Sequence, residues 1–396
     1  MLADTPERAQ QELGLQIALG QALMAAKGQG VREVEHAYTR ARALCQQVGE
    51  TPQLFPVLWG LWRFYFVQAK YQIARELGEQ CLSLAQRVQD QALLLVAHYA
   101  LGITVCFLGE VTLARTHLEQ GLTLYAPQEH RHLAFRYGLD LGVWCLSYVS
   151  WPLWLLGYPD QALTRSRAAI TLAQELSHPI SLAAALSYAA WLHYARQEGT
   201  AVQECAEAAI ALAIERSFPQ YLALATMLRG WALAVQGQGK EGITQIRQGL
   251  TTWRGTGIEA SRTFTLALLA EAYGKGGEAG EGLRVLAEAF ALMEKNGERF
   301  WEAELHRLQG ALLMVQEGTK QRTEAEMHFQ QALDIARRQQ AKTLELRTAI
   351  GLSRLWQQQG KREAARQLLE PIYGWFTEGF NTADLQEARA VLEELT

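Results

Sequence analysis

The sequence predicts an all-α fold, a right-handed superhelix (α-solenoid) of about nine helix hairpins followed by a C-terminal capping helix. Two observations lead to this fold class: small residues recur at a nearly constant spacing of about 40 residues, and glycine-containing turns fall between them in phase. A third is composition, since 49% of the residues are hydrophobic and only 9 of 396 are prolines. Each hairpin would bury its apolar face on its neighbours along the chain.

Small residues mark the middle of the first helix of each hairpin, where a neighbouring helix can approach closely. These positions are Gly20, Gly60, Gly102, Ser150, Ala190, Gly230, Ala270, Gly310 and Ser353. Small residues follow in phase in the second helices, at Ala41, Cys81, Gly121, Ala169, Ala209, Gly249, Ala289 and Ala332, and only Ile372 breaks the rule. The pattern resembles tetratricopeptide hairpins with longer helices, because the commonest such unit has about 34 residues.

The register divides the chain into a repeat region, residues 1–380, and a capping helix, residues 381–396. We expect units near residues 5–50, 51–90, 91–126, 133–176, 177–217, 218–257, 258–297, 298–340 and 341–374. The longest step lies between Gly102 and Ser150 and contains a polar connection, residues 126–132. That connection is the best candidate for a bend in the superhelix.

Net charge argues against two classes of partner, and cysteine content indicates the cellular compartment. The net charge of −4 gives no general attraction to nucleic acid or to an anionic membrane surface, so we expect neither as a partner. The five cysteines are scattered singly, which is typical of a reducing compartment. The first residues lack an apolar signal core. We therefore expect a cytoplasmic protein.

No motif indicates catalysis, a cofactor or a metal, and we expect a non-enzymatic protein. The segment from Gly237 to Glu241 resembles a phosphate-binding loop, but Ala234 and Glu241 stand where that loop needs Gly and Ser or Thr. Its glycines are explained by a turn between helices. His130 and His132 could be metal ligands, but without further partners they are better interpreted as solvated loop residues.

A binding site is expected on the concave side, which the first helices line at fixed offsets from the small residues. In units two to six these offsets hold aromatic residues: Phe64, Tyr65, Tyr99, Phe107, Trp144, Trp151, Trp154, Trp191, Tyr194 and Trp231. In units seven to nine they hold charged residues: Glu271, Lys275, Glu304, Arg307, Arg347 and Arg354. The predicted groove is therefore aromatic over its first two thirds and charged over its last third.

Two interpretations of the aromatic residues stay open at this point. They could form an exposed groove that stacks on a sugar, a flat ligand or an apolar peptide, while the arginines receive an acidic end. Alternatively, the rings pack between neighbouring first helices as ordinary core, which is common for aromatic residues at helical spacing.

Four segments resemble one family of large bacterial regulators. They are residues Asp4 to Gly28, Cys45 to Val67, Cys145 to Leu163 and Ile372 to Leu395. They are similar to the C-terminal tetratricopeptide region that follows an adenylate or guanylate cyclase domain and a STAND-type "predictive ATPase" in that family. A more distant similarity is to the superhelical domain of maltose-activator-type transcription regulators. The resemblance implies a sensor or interaction arm, and no enzymatic activity is transferred with it.

The sequence thus favours a scaffold or sensor arm of a bacterial signalling system that binds a protein segment in its concave groove. The partner could be a STAND-type ATPase or cyclase module. One alternative is a receptor for a small sugar-like or flat effector that controls such a module. Another is a purely intramolecular arm that holds an ATPase inactive.

Overall fold

The computed structural model describes residues 6–49, 51–316 and 318–396, and every regular element in them is a helix. The helices are α1 (Pro6–Lys27), α2 (Arg32–Val48), α3 (Leu54–Val67), α4 (Tyr71–Val88), α5 (Gln91–Phe107), α6 (Val111–Leu124), α7 (Pro127–His130), α8 (Leu133–Tyr137), α9 (Leu141–Leu155), α10 (Pro159–Glu175), α11 (Pro179–Ala195), α12 (Gly199–Arg216), α13 (Pro219–Val235), α14 (Gly239–Gly255), α15 (Arg262–Lys275), α16 (Ala279–Asn296), α17 (Glu302–Val315), α18 (Thr319–Arg338), α19 (Lys342–Gln358), α20 (Arg362–Tyr373) and α21 (Ala383–Leu395). The predicted fold class, an all-α repeat superhelix, is confirmed.

Consecutive long helices form hairpins joined by short turns. The turn between α5 and α6 is representative: Gly109 adopts a φ of 81°, a left-handed conformation that favours glycine. The N–H groups of Gly109 and Glu110 then donate to the carbonyls of Cys106 and Val105, at 2.9 Å each. This hydrogen bonding satisfies carbonyls at the end of one helix and reverses the chain into the next.

The small residues allow close packing between helices. Gly230 of α13 and Gly242 of α14 face each other, and a Cβ on Gly230 would lie 2.7 Å from the Gly242 carbonyl oxygen. At the other end of the chain, the Tyr38 ring lies between Gly20 and Gly60, where a Cβ on either glycine would overlap it. The spacing of small residues in the sequence therefore reflects backbone-to-backbone and ring-to-backbone contact.

The superhelix winds so tightly that one turn packs directly on the next, along a line of contacts that we call the seam. The Val67 carbonyl accepts from the N–H groups of Glu259 (2.8 Å) and Ala260 (3.1 Å). The Phe107 carbonyl likewise accepts from Arg299 (2.8 Å) and Phe300 (3.2 Å). Such contacts join hairpins far apart in the chain, which differs from the expectation that each unit packs only on its neighbours.

The seam continues toward the C terminus. The Thr343 hydroxyl donates to the Trp154 carbonyl across 189 residues of chain (2.5 Å). One unit further along, the Arg347 guanidinium donates to the Ala195 carbonyl (2.6 Å). The C-terminal ends of α3, α5, α9 and α11 are therefore all in contact with the following turn, and most of the concave interior is filled by side chains.

The connection between α6 and α9 forms two short helices, α7 and α8, rather than an extended loop. The interpretation of His130 as a solvated loop residue is wrong: it is buried, and its Nδ1 accepts from the Ala126 N–H (3.0 Å). The side chain of His132 is exposed, with its Nδ1 2.9 Å from the Glu129 carbonyl oxygen. In the described part of the chain no helix is both long and apolar enough to cross a bilayer.

Candidate ligand channel in the concave interior

The aromatic residues singled out from the sequence lie on the inner side of the superhelix, where the seam buries most of them. All are at most 5% exposed except the half-buried Tyr65; the buried set is Phe64, Tyr99, Phe107, Trp144, Trp151, Trp154, Trp191, Tyr194 and Trp231. They form one continuous cluster, in which the Trp151 and Trp191 ring centroids are 4.1 Å apart. Phe300 and Trp301, which belong to the following turn, pack against this cluster at tilted angles. The open aromatic groove expected from the sequence is therefore mostly interior.

Six of these residues are packed among other side chains and do not line the cavity in the interior. Tyr194 makes an edge-to-face contact with Trp231 (4.8 Å between centroids), and Trp154 lies 6.0 Å from Trp301. Tyr65 donates its hydroxyl proton to Glu35 (2.8 Å). Of the remaining members, Phe64 contacts the Tyr65 ring and Tyr99 contacts the rings of Trp59 and Trp144. The structure gives these six a packing role.

The charged residues expected to line the last third of the groove are mostly paired with opposite charges. Arg347 and Asp384 form a bidentate ion pair (2.9 and 2.6 Å), and Arg307 pairs with Glu304 (2.8 and 2.7 Å). Glu271 accepts from the Trp231 indole N–H (3.0 Å). We call Glu271, Glu304, Arg307, Arg347 and Asp384 the ion cluster.

Within the ion cluster, two guanidinium groups face three carboxylates and offset most of their charge. Burial raises the pKa of Glu304, but the nearby guanidinium groups of Arg307 and Arg347 outweigh burial and lower it. Burial alone would lower the pKa of Arg347, yet Asp384 and Glu304 together raise it. Outside the cluster, Arg354 pairs with Glu387 at the surface (3.1 Å), and Lys275 is exposed. The expectation that these arginines await an acidic ligand thus differs from the structure, which already supplies carboxylates.

A cavity remains between the two turns in the aromatic part of the interior. Its inner compartment, the chamber, has a volume of about 70 Å³. Side chains from both turns line it: Gln29, Arg63, Phe66, Val67, Phe107, Trp144, Tyr148, Trp151, Tyr188, Trp191, Gln220, Tyr221, Leu224, Trp253, Ile258, Ala260, Ser261 and Phe264. Four predicted residues, Phe107, Trp144, Trp151 and Trp191, are therefore brought together around it.

A wider compartment, the funnel, leads from the surface towards the chamber and has a volume of about 1000 Å³. Its wall combines the end of α1 and the start of α3 with residues near 136–139, 217–220 and 252–258. Gln29, Arg63, Gln220 and Ile258 line both compartments and form the neck between them. Funnel and chamber together make a channel along the concave side.

The charged side chains that line the channel are all cationic. Arg63 donates through Nε to Gln29 (2.9 Å), and its guanidinium lies over the Trp144 ring (4.6 Å to the centroid). No Asp or Glu is among the residues lining either compartment, whereas Lys27, Arg63 and Arg136 are. The hydroxyl oxygens of Tyr148 and Tyr188 are 3.0 Å apart and share a hydrogen bond. Burial raises the pKa of both hydroxyls well above 10, so they stay neutral.

Sequence reasoning missed several channel residues, above all Arg63, Trp59 and Trp253. The offsets used for the concave face skip Arg63, and Trp253 belongs to a second helix, α14. A signal was present for Arg63, since it is the only charged residue in the otherwise apolar helix α3. A charge in such a helix needs a partner or solvent. Across the described residues, no group of three or more His, Cys, Asp or Glu side chains could hold a metal ion.

The chain is similar in fold to helical-repeat proteins of known structure. A Rap protein in complex with Competence and Sporulation Factor aligns over 98% of this chain and 100% of its own, with a TM-score of 0.64 and 11% identity. The Rap conjugation gene regulator of plasmid pLS20, in complex with the Phr* peptide, aligns over 97% and 98% (TM-score 0.53, 10% identity). The apo quorum sensor NprR from B. thuringiensis aligns over 93% and 99% (TM-score 0.51, 12% identity).

Sequence comparison adds no family to this structural likeness. A scan against protein-family models finds no match, and a search of curated protein sequences finds none either. At identities of 10 to 12% the solved structures establish the fold alone. That fold is a tetratricopeptide-like helical-repeat superhelix.

Proposed function

We propose that this protein is a regulatory scaffold that binds a protein or peptide segment in the channel between its two superhelical turns. The observation that carries the proposal is the funnel of about 1000 Å³, which stays open although the rest of the interior is packed. Its volume lies at the upper end of the range of about 300–1000 Å³ that is typical of ligand sites. An extended segment of a few residues suits such a site.

The funnel wall is suited to a peptide. Trp59, Tyr137 and Phe218 provide apolar surface for side chains, and Gln21 and Gln220 provide both donors and acceptors for backbone amides. Two structural neighbours in the comparison, a Rap protein and a Rap regulator, were solved with Competence and Sporulation Factor and with the Phr* peptide. Their fold likeness supports the same mode of use here.

A bound segment would couple the two turns of the superhelix. The funnel is walled on one side by α1 to α3 and on the other by residues near 217–220 and 252–258, which belong to later units. A ligand that contacts both sides favours one winding of the superhelix over others, and this change in population is the regulatory signal. The sequence resemblance supports a role as the sensor arm of a cyclase or STAND ATPase regulator, without enzymatic activity of its own.

The test begins with selection of binders from a library of random linear heptapeptides by the full chain. Binding of a selected, fluorescein-labelled peptide is then measured by fluorescence anisotropy. Ala25 is exposed and lines the funnel, so Ala25→Trp should narrow it and weaken binding at least tenfold. Ala22 is an exposed residue of the same helix outside the funnel wall, and Ala22→Trp is the matched control. Equal affinity in both variants, or no selected binder, would refute the proposal.

A small-molecule receptor is the second candidate, and the aromatic chamber is the observation that favours it. The chamber has room for roughly five water molecules at 10–15 Å³ each, enough for one small group. Screening a metabolite panel by intrinsic tryptophan fluorescence separates the candidates. A saturable response from a metabolite, together with no selected peptide, would favour the receptor.

A further inference from the structure

We propose that the chamber is a carboxylate site, in which Arg63 and buried tryptophan N–H groups hold the C-terminal carboxylate of the bound segment. This inference rests on the proposed function and deepens it, because it states which end of the segment enters first. The chamber is too small for a peptide chain to pass through. A chain that enters through the funnel therefore ends there.

Arg63 is a cation without an anion. It lies at the neck, half-buried, with Nε hydrogen-bonded to the neutral Gln29 and its guanidinium carbon 4.6 Å from the Trp144 ring centroid. Among the described residues no carboxylate oxygen is paired with its guanidinium, whose remaining N–H groups can still donate. Arg307 and Arg347, the arginines deep in the other part of the interior, both have carboxylate partners. A guanidinium in this position matches a carboxylate bidentately.

Three residues that line the chamber also carry unpartnered donors. Of the four buried indole N–H groups without an acceptor in the described structure, three belong to the chamber-lining Trp144, Trp151 and Trp253. Indole can only donate, and buried donors are nearly always satisfied in proteins. These residues are at least nine-tenths buried, so bulk water does not serve them. Three unpaired indole donors at one cavity can be satisfied by an acceptor that a ligand supplies, and a carboxylate has two acceptor oxygens.

The charge of the channel wall favours an anion along its whole length. Arg136 is exposed at the funnel, Arg63 lies at the neck, and no acidic residue is among those lining either compartment. Lys27 also lines the funnel, although it pairs with Glu33 at the surface (3.0 Å). A neutral ligand end would leave Arg63 uncompensated, and an amine would be repelled. The wall therefore selects the carboxylate end of a chain over its amino end.

The first experiment needs no identified peptide. Hydrocinnamate, a minimal mimic of a C-terminal residue, and its neutral amide are titrated into the full chain at neutral pH and followed by tryptophan fluorescence. The acid should bind at least tenfold more tightly than the amide. Arg63→Gln should abolish this difference, whereas Arg167→Gln, a change of an exposed arginine outside the channel, should keep it. Unchanged melting temperatures show that both variants are folded. Equal binding of acid and amide by the unaltered protein overturns the inference.

The second experiment uses a selected heptapeptide with three changes: C-terminal amidation, N-terminal acetylation, and replacement of each Asp or Glu by Asn or Gln. The inference expects amidation alone to cost at least tenfold in affinity, and this loss to disappear in Arg63→Gln. If only the side-chain changes weaken binding, the assignment of the chain end is overturned. Peptide binding that is insensitive to amidation overturns the inference and leaves the proposed function standing. Hydrocinnamate binding without any peptide binding overturns the proposed function and leaves the chamber as a site for small carboxylates only.

Discussion

The two parts of the concave interior differ in how their charged groups are paired. In the ion cluster, each charged group has a partner, as in the Arg347–Asp384 and Arg307–Glu304 pairs. Around the chamber, Arg63 lacks an anion and three tryptophans lack acceptors. Both parts lie on the inner side of one superhelix built from similar hairpins, so hairpin geometry alone does not explain the difference. Internal pairing indicates structure, whereas unpaired donors beside a cavity indicate a ligand.

The largest expected effect concerns the ion cluster. Asp384→Ala leaves the buried Arg347 without its bidentate partner, and breaking a buried pair in this way costs about 3–5 kcal/mol of unfolding free energy. Urea denaturation followed by circular dichroism measures the loss. Arg354→Gln removes an exposed pair with Glu387 and should cost less than about 1 kcal/mol. A loss of similar size in both variants would show that the cluster is not a structural element.

Glu298 provides a test at the seam, because it is a buried carboxylate whose hydrogen-bond partners are neutral. Tyr71 (3.3 Å) and Thr263 donate to it, and burial raises its pKa from 4.5 to about 7. Between these pH values the folded protein holds a proton that the unfolded chain releases, so stability falls as pH rises. The full loss is about 3 kcal/mol at 1.36 kcal/mol per pH unit.

Replacing Glu298 by Gln should remove this contribution. Relative to the unaltered protein, Glu298→Gln is expected to gain stability progressively from about pH 4.5 to 7 and to keep the gain above that range. Urea midpoints across this pH range measure the difference in stability between the two proteins. The titration of other groups affects both proteins equally and cancels in this difference. A difference that is independent of pH would contradict the assignment of Glu298 as the titrating group.

The smallest expected effect compares two buried tryptophans. The Trp231 N–H donates to Glu271, whereas the Trp151 N–H has no acceptor. Trp231→Phe should therefore destabilise the protein by about 1–3 kcal/mol more than Trp151→Phe, because only the former leaves a buried acceptor unpaired. Both changes remove the same volume, so their difference isolates the hydrogen bond. Equal losses of stability in thermal unfolding would mean that the hydrogen bond from Trp231 to Glu271 makes no measurable contribution.

The fold class was predictable because it depends on local, repeated signals. Small residues such as Gly60 and Gly230 mark close helix contacts, and glycines such as Gly109 mark turns, at positions that can be compared along the chain. The seam was not predictable in this way. It depends on the pitch of the superhelix, which is the sum of small rotations at every hairpin.

The candidate site was predictable only in part for the same reason. Sequence offsets found aromatic residues that face inward, including Trp144 and Trp151 at the chamber, but not which of them the next turn would cover. The partner of Arg347 in the ion cluster, Asp384, lies 37 residues away on α21, outside the repeat register. Arg63 could have been noticed as a charge in an apolar helix, but the absence of a carboxylate beside it is visible only in three dimensions.

The most direct test of the central distinction is the location of a bound carboxylate. Crystals of the full chain soaked with para-bromohydrocinnamate would locate the ligand through the anomalous signal of bromine. We expect the bromine in the funnel and the carboxylate beside Arg63, within hydrogen-bond distance of about 3 Å, with no ligand in the ion cluster. Bromine located among Arg307, Arg347 and Asp384, or only on the outer surface, would contradict the assignment of the chamber as the ligand site and of the ion cluster as structure.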